Sequence, residues 1–161
     1  MYKYQQPIPV EIAVREICDY KQSYTQYGGL RPFGVAFLFA GWDKNFGFQL
    51  YQSDPSGNFS GWKATVVGQN NQAGKSLLKS DYNEASSVEK NLKLAVKILL
   101  KTMDATAPSP EKIELSSLTR TPDGKIVHIV IPDSVVQVFV DELTAEEEAE
   151  KKAKESSLGD K

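Results

Sequence analysis

The sequence has one cysteine, Cys18, and one histidine, His128, in 161 residues. A single cysteine excludes an internal disulfide, and a single imidazole leaves a zinc site or a proton relay without its second histidine. No apolar run approaches the ~18 residues of a membrane span, and nothing at the start reads as a secretory signal. These absences point to a reducing, intracellular setting. Charge of one sign is lacking too: 19 Lys and Arg stand against 21 Asp and Glu, a net of -2. Neither nucleic acid nor a membrane is therefore an expected partner. What remains, 40% hydrophobic and 25% charged, is the usage of an ordinary globular domain.

The charge is unevenly placed. From Asp141 onward eight acids face four lysines, so this end carries -4 and residues 1–140 carry +2. After Leu143 the apolar residues are Ala145, Ala149, Ala153 and Leu158, too few for a core face. The expected division is a domain over 1–143 and a charged, acidic tail over 144–161. In that tail Glu147–Lys151, Glu148–Lys152 and Glu150–Lys154 are i,i+4 pairs that support a solvated helix.

Val10, Ala13, Val14, Ile17, Cys18, Lys21 and Tyr24 follow a 3.6-residue period between Pro9 and Gly28-Gly29 and predict a first helix, with Lys21 the one charge on its stripe. Three strand-like runs follow, Gly34–Gly41, Phe46–Gln52 and Phe59–Val67, separated by turns at Asp43-Lys44-Asn45 and Asp54-Pro55-Ser56-Gly57. Two helices come next. One runs from about Asn70 to Tyr82 with Ala73, Leu77 and Leu78 inward. The other opens on the capping-box pattern Ser86-Ser87-Val88-Glu89 and presents Val88, Leu92, Ala95, Val96, Leu99 and Met103. Strands at Lys112–Arg120 and Lys125–Ile131 flank Thr121-Pro122-Asp123-Gly124, a hairpin signal. A last helix starts at Asp133 and buries Val136, Phe139, Val140 and Leu143. The order is α-βββ-αα-ββ-α, an α+β chain.

Two of these strands are apolar on both faces. Val35, Phe37 and Phe39 alternate with Ala36, Leu38 and Ala40, and Val127, Ile129 and Ile131 with Ile126, His128 and Val130. A sheet with one wetted face alternates more cleanly. Such strands need cover on both sides, and five strands amount to one modest sheet. The chain is thus either part of a larger fold or buries a face against another polypeptide.

Little in the sequence carries chemistry. Gly68 to Gly74-Lys75-Ser76 follows a strand and enters a helix as a phosphate loop does. Five residues separate its glycines, however, where the motif has four, and the cradle of backbone N–H groups depends on that curvature. His128 reads as a partly buried strand residue, Cys18 as a small core hydrophobe, and Asp43 and Asp54 as turn residues. No catalytic residue, cofactor site or metal site is expected.

Two segments say more. Tyr24-Thr25-Gln26-Tyr27-Gly28-Gly29-Leu30-Arg31-Pro32-Phe33-Gly34-Val35, and Gly47 to Gly57 with its Asp54-Pro55-Ser56-Gly57 hairpin followed by Gly61-Trp62-Lys63-Ala64, resemble the proteasome alpha-subunit family. The likeness extends from about Tyr2 to about Val140. It implies a portion of the four-layer α-β-β-α sandwich of N-terminal-nucleophile hydrolases, with antiparallel sheets. The chain begins at what resembles the second long helix of that sandwich, so it is read as lacking the N-terminal part, where the gate and the activator pocket lie. The resemblance further implies a non-catalytic subunit of the 20S outer alpha ring that supports ring assembly, chamber access control and activator docking. The implied partners are other alpha subunits, beta subunits and activators or a regulatory particle, in cytoplasm and nucleus. What it carries over is structural: Gly28, Gly29, Arg31, Pro32, Phe33 and Gly34 turn helix into strand, Asp54, Pro55, Ser56 and Gly57 shape the hairpin, and Arg31 is placed to meet a carboxylate within the chain or across a subunit boundary. The rival readings are a free-standing α+β adaptor that dimerises through its exposed sheet and a nucleotide-binding protein using Gly74-Lys75-Ser76.

Overall fold

The computed structural model of the chain describes residues 5–103 and 110–158. The first periodic stripe forms helix α1, Val10–Gln26, which buries Val14, Cys18 and Lys21. Its N-cap is Pro9, which has no capping side chain. Asp43 substitutes from a distance: its Oδ2 accepts the Val10 N–H at 3.1 Å, and a carboxylate at a helix N-terminus also meets the positive end of the helix dipole. At the other end Tyr27 is already extended, and Gly29 at φ 82° takes a left-handed conformation that favours glycine.

Strands β1 (Phe37–Asp43), β2 (Gly47–Ser53) and β3 (Phe59–Gly61) form an antiparallel sheet in that order. Phe37 pairs with Ser53 and Asp43 with Gly47. The first strand begins at Phe37 rather than Gly34, because its partner ends at Ser53 and nothing on β2 remains for residues 34–36 to pair with. The third stops at Gly61 rather than Val67. Trp62 N–H still donates to the Leu50 carbonyl at 2.9 Å, but then Ala64, Thr65, Val66 and Val67 leave the sheet and line a cavity with Leu78 and Ile98. A short β-branched run reads alike as strand and as buried coil, which is why the sequence expectation overran.

Helix α2 spans Asn71–Asp81 and α3 spans Val88–Thr102. On α2 the buried residue is Gly74, and Ala73 is exposed. A Cβ on Gly74 would lie 3.1 Å from both Val66 methyls and 3.2 Å from Ile98 Cγ2. The capping box expected on Ser86 and Glu89 is displaced by one residue. Ser87 is the cap and accepts the Lys90 N–H at 3.3 Å, so no glutamate stands at the reciprocal position. Val88 is consequently exposed, while Ile98 joins Val96 in the interior.

After a short 3-10 turn at Pro110–Lys112, β4 (Leu115–Arg120) and β5 (Ile126–Ile131) make an antiparallel hairpin closed at Thr121–Gly124. Its first strand starts at Leu115 rather than Lys112. The five described strands thus divide into two sheets of three and two, not one. Helix α4 spans Asp133–Leu158, and Val136, Phe139, Val140 and Leu143 pack with Val96, Ile113 and Leu115 as the main core. The helix continues without a break past Leu143. Glu147 forms an ion pair with Lys101 of α3 at 2.7 Å, and its expected pairing with Lys151 involves a side chain outside the described residues. The side chains of Glu150, Lys151 and Lys154 lie outside the described residues.

From one side to the other the layers are α1, the three-stranded sheet, the hairpin, and the α2–α4 helices. Leu115 of β4 belongs to the helical core. Arg120, on the opposite face of that strand, places its guanidinium 5.3 Å from the centre of the Trp42 ring of β1. The facing sheet surfaces are not closed. Leu38, Phe48 and Val130 are 44, 52 and 67% exposed. A cavity of about 470 Å³ opens between Leu38 and Leu50 on the sheet and Leu78, Leu94, Ile98 and Leu99 on the helices.

Candidate functional site

The two motif blocks lie far apart in sequence, and α1 brings them together through one residue. Lys21 points from the helix into the sheet and is 2% exposed. Its Nζ donates to the Val35 carbonyl at 3.1 Å and to Ser53 Oγ at 2.9 Å, and it lies 4.9 Å from the centre of the Phe37 ring. Val35 ends the first block and Ser53 precedes the Asp54 hairpin. The ammonium therefore joins helix, connector and hairpin at one point, with hydrogen bonds and an aromatic face replacing the water it gives up.

The hairpin is shaped from within. Asp54 Oδ1 accepts the N–H of Ser56 at 2.8 Å and that of Asn58 at 3.2 Å, together with the Ser56 hydroxyl. The Ser56 hydroxyl, then the two amides, then the Lys21 charge hold the Asp54 carboxyl below its usual range. Gly57 has φ 90°, and a Cβ there would lie 2.4 Å from the Cys18 carbonyl oxygen and 2.9 Å from the Gln22 nitrogen. The turn thus lies directly against the α1 backbone, where no side chain fits. Beneath it the Cys18 thiol is buried, and that burial raises its pKa.

The connector makes a second, exposed feature. Phe33 lies 4.8 Å from Tyr24 and 6.0 Å from Tyr20, ring centre to ring centre, and the two tyrosine hydroxyls are 2.8 Å apart. That shared hydrogen bond raises the Tyr24 pKa. Gly28, Gly29, Pro32 and Gly34 are exposed around this aromatic group. Arg31 is exposed too, with no carboxylate partner among the described residues.

Asp43 is the position that the sequence reading undervalued. It does make the expected turn, accepting from Asn45 and Phe46, both at 2.9 Å. It also receives Gln49 Nε2 at 2.7 Å and the first N–H of α1. Gln49 first, then these backbone donors, lower its pKa to about 2. A proline immediately before an amphipathic run, with no cap of its own, was the available signal.

The remaining candidates are dispersed. His128 is exposed on β5, not partly buried, because the face it shares with Val130 has no cover. Gly74-Lys75-Ser76 lies inside α2, past the helix start, with Gly74 against Val66 and Ile98 and Lys75 5.7 Å from the Trp62 ring. Lys75 is half-buried there rather than on a solvated face. A helical segment with its glycine packed inward cannot wrap backbone N–H groups around a phosphate. Lys21 and Ser53 resemble a lysine–serine pair, but at 2 and 0% exposure no substrate atom reaches the serine oxygen. Among the described residues no three His, Cys, Asp or Glu side chains converge as metal ligands, and no helix is long and apolar enough to cross a membrane.

Comparison with known proteins gives one answer. The proteasome subunit family matches residues 1–118. Proteasome subunit alpha type-4 of Spinacia oleracea is 55% identical over 141 residues, covering 87% of this chain and 56% of that protein. Alpha type-4-A of Arabidopsis thaliana is 54% identical over 86% of the chain and 56% of its own length. Alpha type-4 of Dictyostelium discoideum is 53% identical over 92% of the chain and 60% of its own length. The chain thus spans little more than half of these relatives. Helix on sheet, sheet facing hairpin and helices behind are a portion of the α-β-β-α sandwich, and the matched stretch contains both blocks that Lys21 holds together. On fold and sequence alike, the chain belongs to the proteasome subunit family.

Proposed function

We propose that this chain is the C-terminal portion of a non-catalytic alpha-ring subunit of the 20S proteasome, supporting ring assembly, chamber access control and activator docking. One observation carries the reading: both sheets leave apolar faces uncovered, in a chain little more than half as long as its alpha type-4 relatives. Exposed apolar surface on this scale asks for a covering layer, and the rest of a full-length subunit would supply it. The partners are other alpha subunits, beta subunits and an activator or regulatory particle, in cytoplasm and nucleus. In this reading Gly28, Gly29, Arg31, Pro32, Phe33 and Gly34, with Asp54, Pro55, Ser56 and Gly57, are structural. Arg31 is left to meet a carboxylate of a neighbouring subunit. Residues 144–161 form a charged extension that ring assembly does not need.

Native mass spectrometry of proteasome co-purified with the tagged full-length gene product tests this. The expected result is its incorporation into a seven-membered ring. Recovery only as a free monomer or dimer would reject the ring reading, and a stable free dimer would favour the adaptor.

A further inference from the structure

Lys93, Lys97 and Lys101 are spaced four apart and share one flank of α3. Lys97 pairs with Asp81 at the end of α2 at 2.6 Å. The other two reach α4: Lys93 to Glu142 at 2.8 Å and Glu146 at 2.9 Å, and Lys101 to Glu147 at 2.7 Å. Helix α4 therefore rests on α3 in two different ways. Up to Leu143 it is anchored by Val136, Phe139, Val140 and Leu143 in the core. From Thr144 its sequence offers three alanines and one leucine, and its ion pairs to α3 come from Glu146 and Glu147.

We infer that the part of α4 beyond Leu143 is an ionic strap, docked on the α3 lysine stripe by charge and released by salt while the apolar anchor stays in place. The pairs are open to solvent, with Lys93 the most shielded at 29% exposure, so counter-ions reach them. Screening shortens the range of charge from about 10 Å at 0.1 M to about 3 Å at 1 M salt, while apolar packing is not weakened by it. Release exposes Lys101, leaves Lys93 with Glu142 of the anchored part, and frees Glu146 and Glu147 together, so one event uncovers surfaces of opposite sign. All of these contacts lie within the chain, so the strap is independent of ring membership.

Hydrogen–deuterium exchange on the full chain at about 20 mM and about 1 M NaCl reads the two halves of α4 separately. Amides of residues 144–149 should exchange about five- to tenfold faster in high salt while those of 136–143 remain unchanged, as local opening without global unfolding requires. The double variant Lys93→Gln with Lys101→Gln should show the fast exchange already in low salt and lose the salt response, with 136–143 still protected as proof of folding. The charge-swapped variant Lys93→Glu with Glu142→Lys and Glu146→Lys should recover salt-sensitive protection. Exchange of 144–149 that ignores salt in the unmodified chain, a salt response that survives the double variant, or a swap that recovers nothing would each overturn the strap.

Discussion

Around Val96, Val136, Phe139, Val140 and Leu143 the chain closes with apolar side chains, whereas α1 is held to its sheet at Lys21, Asp43 and Ser53. The first region is built from contiguous sequence, with β4, β5 and α4 following one another and α3 close by. The second joins segments from three places and is sealed on one side alone, its other sheet face being left with Leu38 and Phe48 exposed. Apolar packing is non-directional and tolerates local error. Polar groups in an interior demand partners at fixed distances and angles, so they define how α1 sits on the sheet. A core that makes the chain stable thus stands beside a layer that makes its geometry specific.

Three experiments would sharpen or break that contrast. The largest effect is expected at Phe139, where Phe139→Ala should lower unfolding stability by about 3–4 kcal/mol through lost burial and an unfilled cavity. A denaturation midpoint within error of the unmodified chain would mean that α4 is not the stabilising element. Next is Lys21→Met, which keeps the stem but leaves Ser53 Oγ and the Val35 carbonyl without their donor. A loss of about 1–3 kcal/mol should follow, and adding Ser53→Ala should recover part of it. Full additivity of the two substitutions in a thermodynamic cycle would show that the pair is not coupled.

The smallest effect concerns pH. The Asp43 carboxyl titrates at about 2 in the folded chain against an ordinary 3.8. Because the folded value is the lower one, the contribution of Asp43 is fully present above about 4 and declines as pH falls toward 2. Asp43→Asn should accordingly be less stable than the unmodified chain at pH 5, with the gap narrowing by pH 2.5 in denaturant titrations. A gap that stays constant across that window would place the contribution of Asp43 outside its charge.

The legible parts of the fold were those with a clear period or turn. Val14, Cys18 and Lys21 of the α1 stripe, the Val136–Leu143 face and the Thr121–Gly124 hairpin appear where the residues place them, whereas Ile17, expected on the same stripe, is 43% exposed. Coil and strand could not be told apart where β-branched residues lack a ladder partner, at Thr65, Val66 and Val67. The nucleotide-loop resemblance of Gly68 to Ser76 dissolved because Gly74 is needed for close packing against Val66, a requirement invisible without the neighbouring segment. At the motif blocks the glycines and the Asp54 turn could be read locally. That Lys21 would bond Val35 and Ser53, or that Asp43 would cap a helix 33 positions earlier, could not.

The sequence by itself determined the order of helices and strands and the two-faced apolar strands that ask for cover, since each follows from side-chain type and spacing along the chain. Only the tertiary structure decided that the strands divide into two sheets, that a buried lysine gathers both motif blocks, and that α4 changes from apolar to ionic docking at Leu143. Those outcomes depend on which distant groups meet, and a hydrogen bond or an ion pair exists only where both partners arrive within about 3–4 Å of one another.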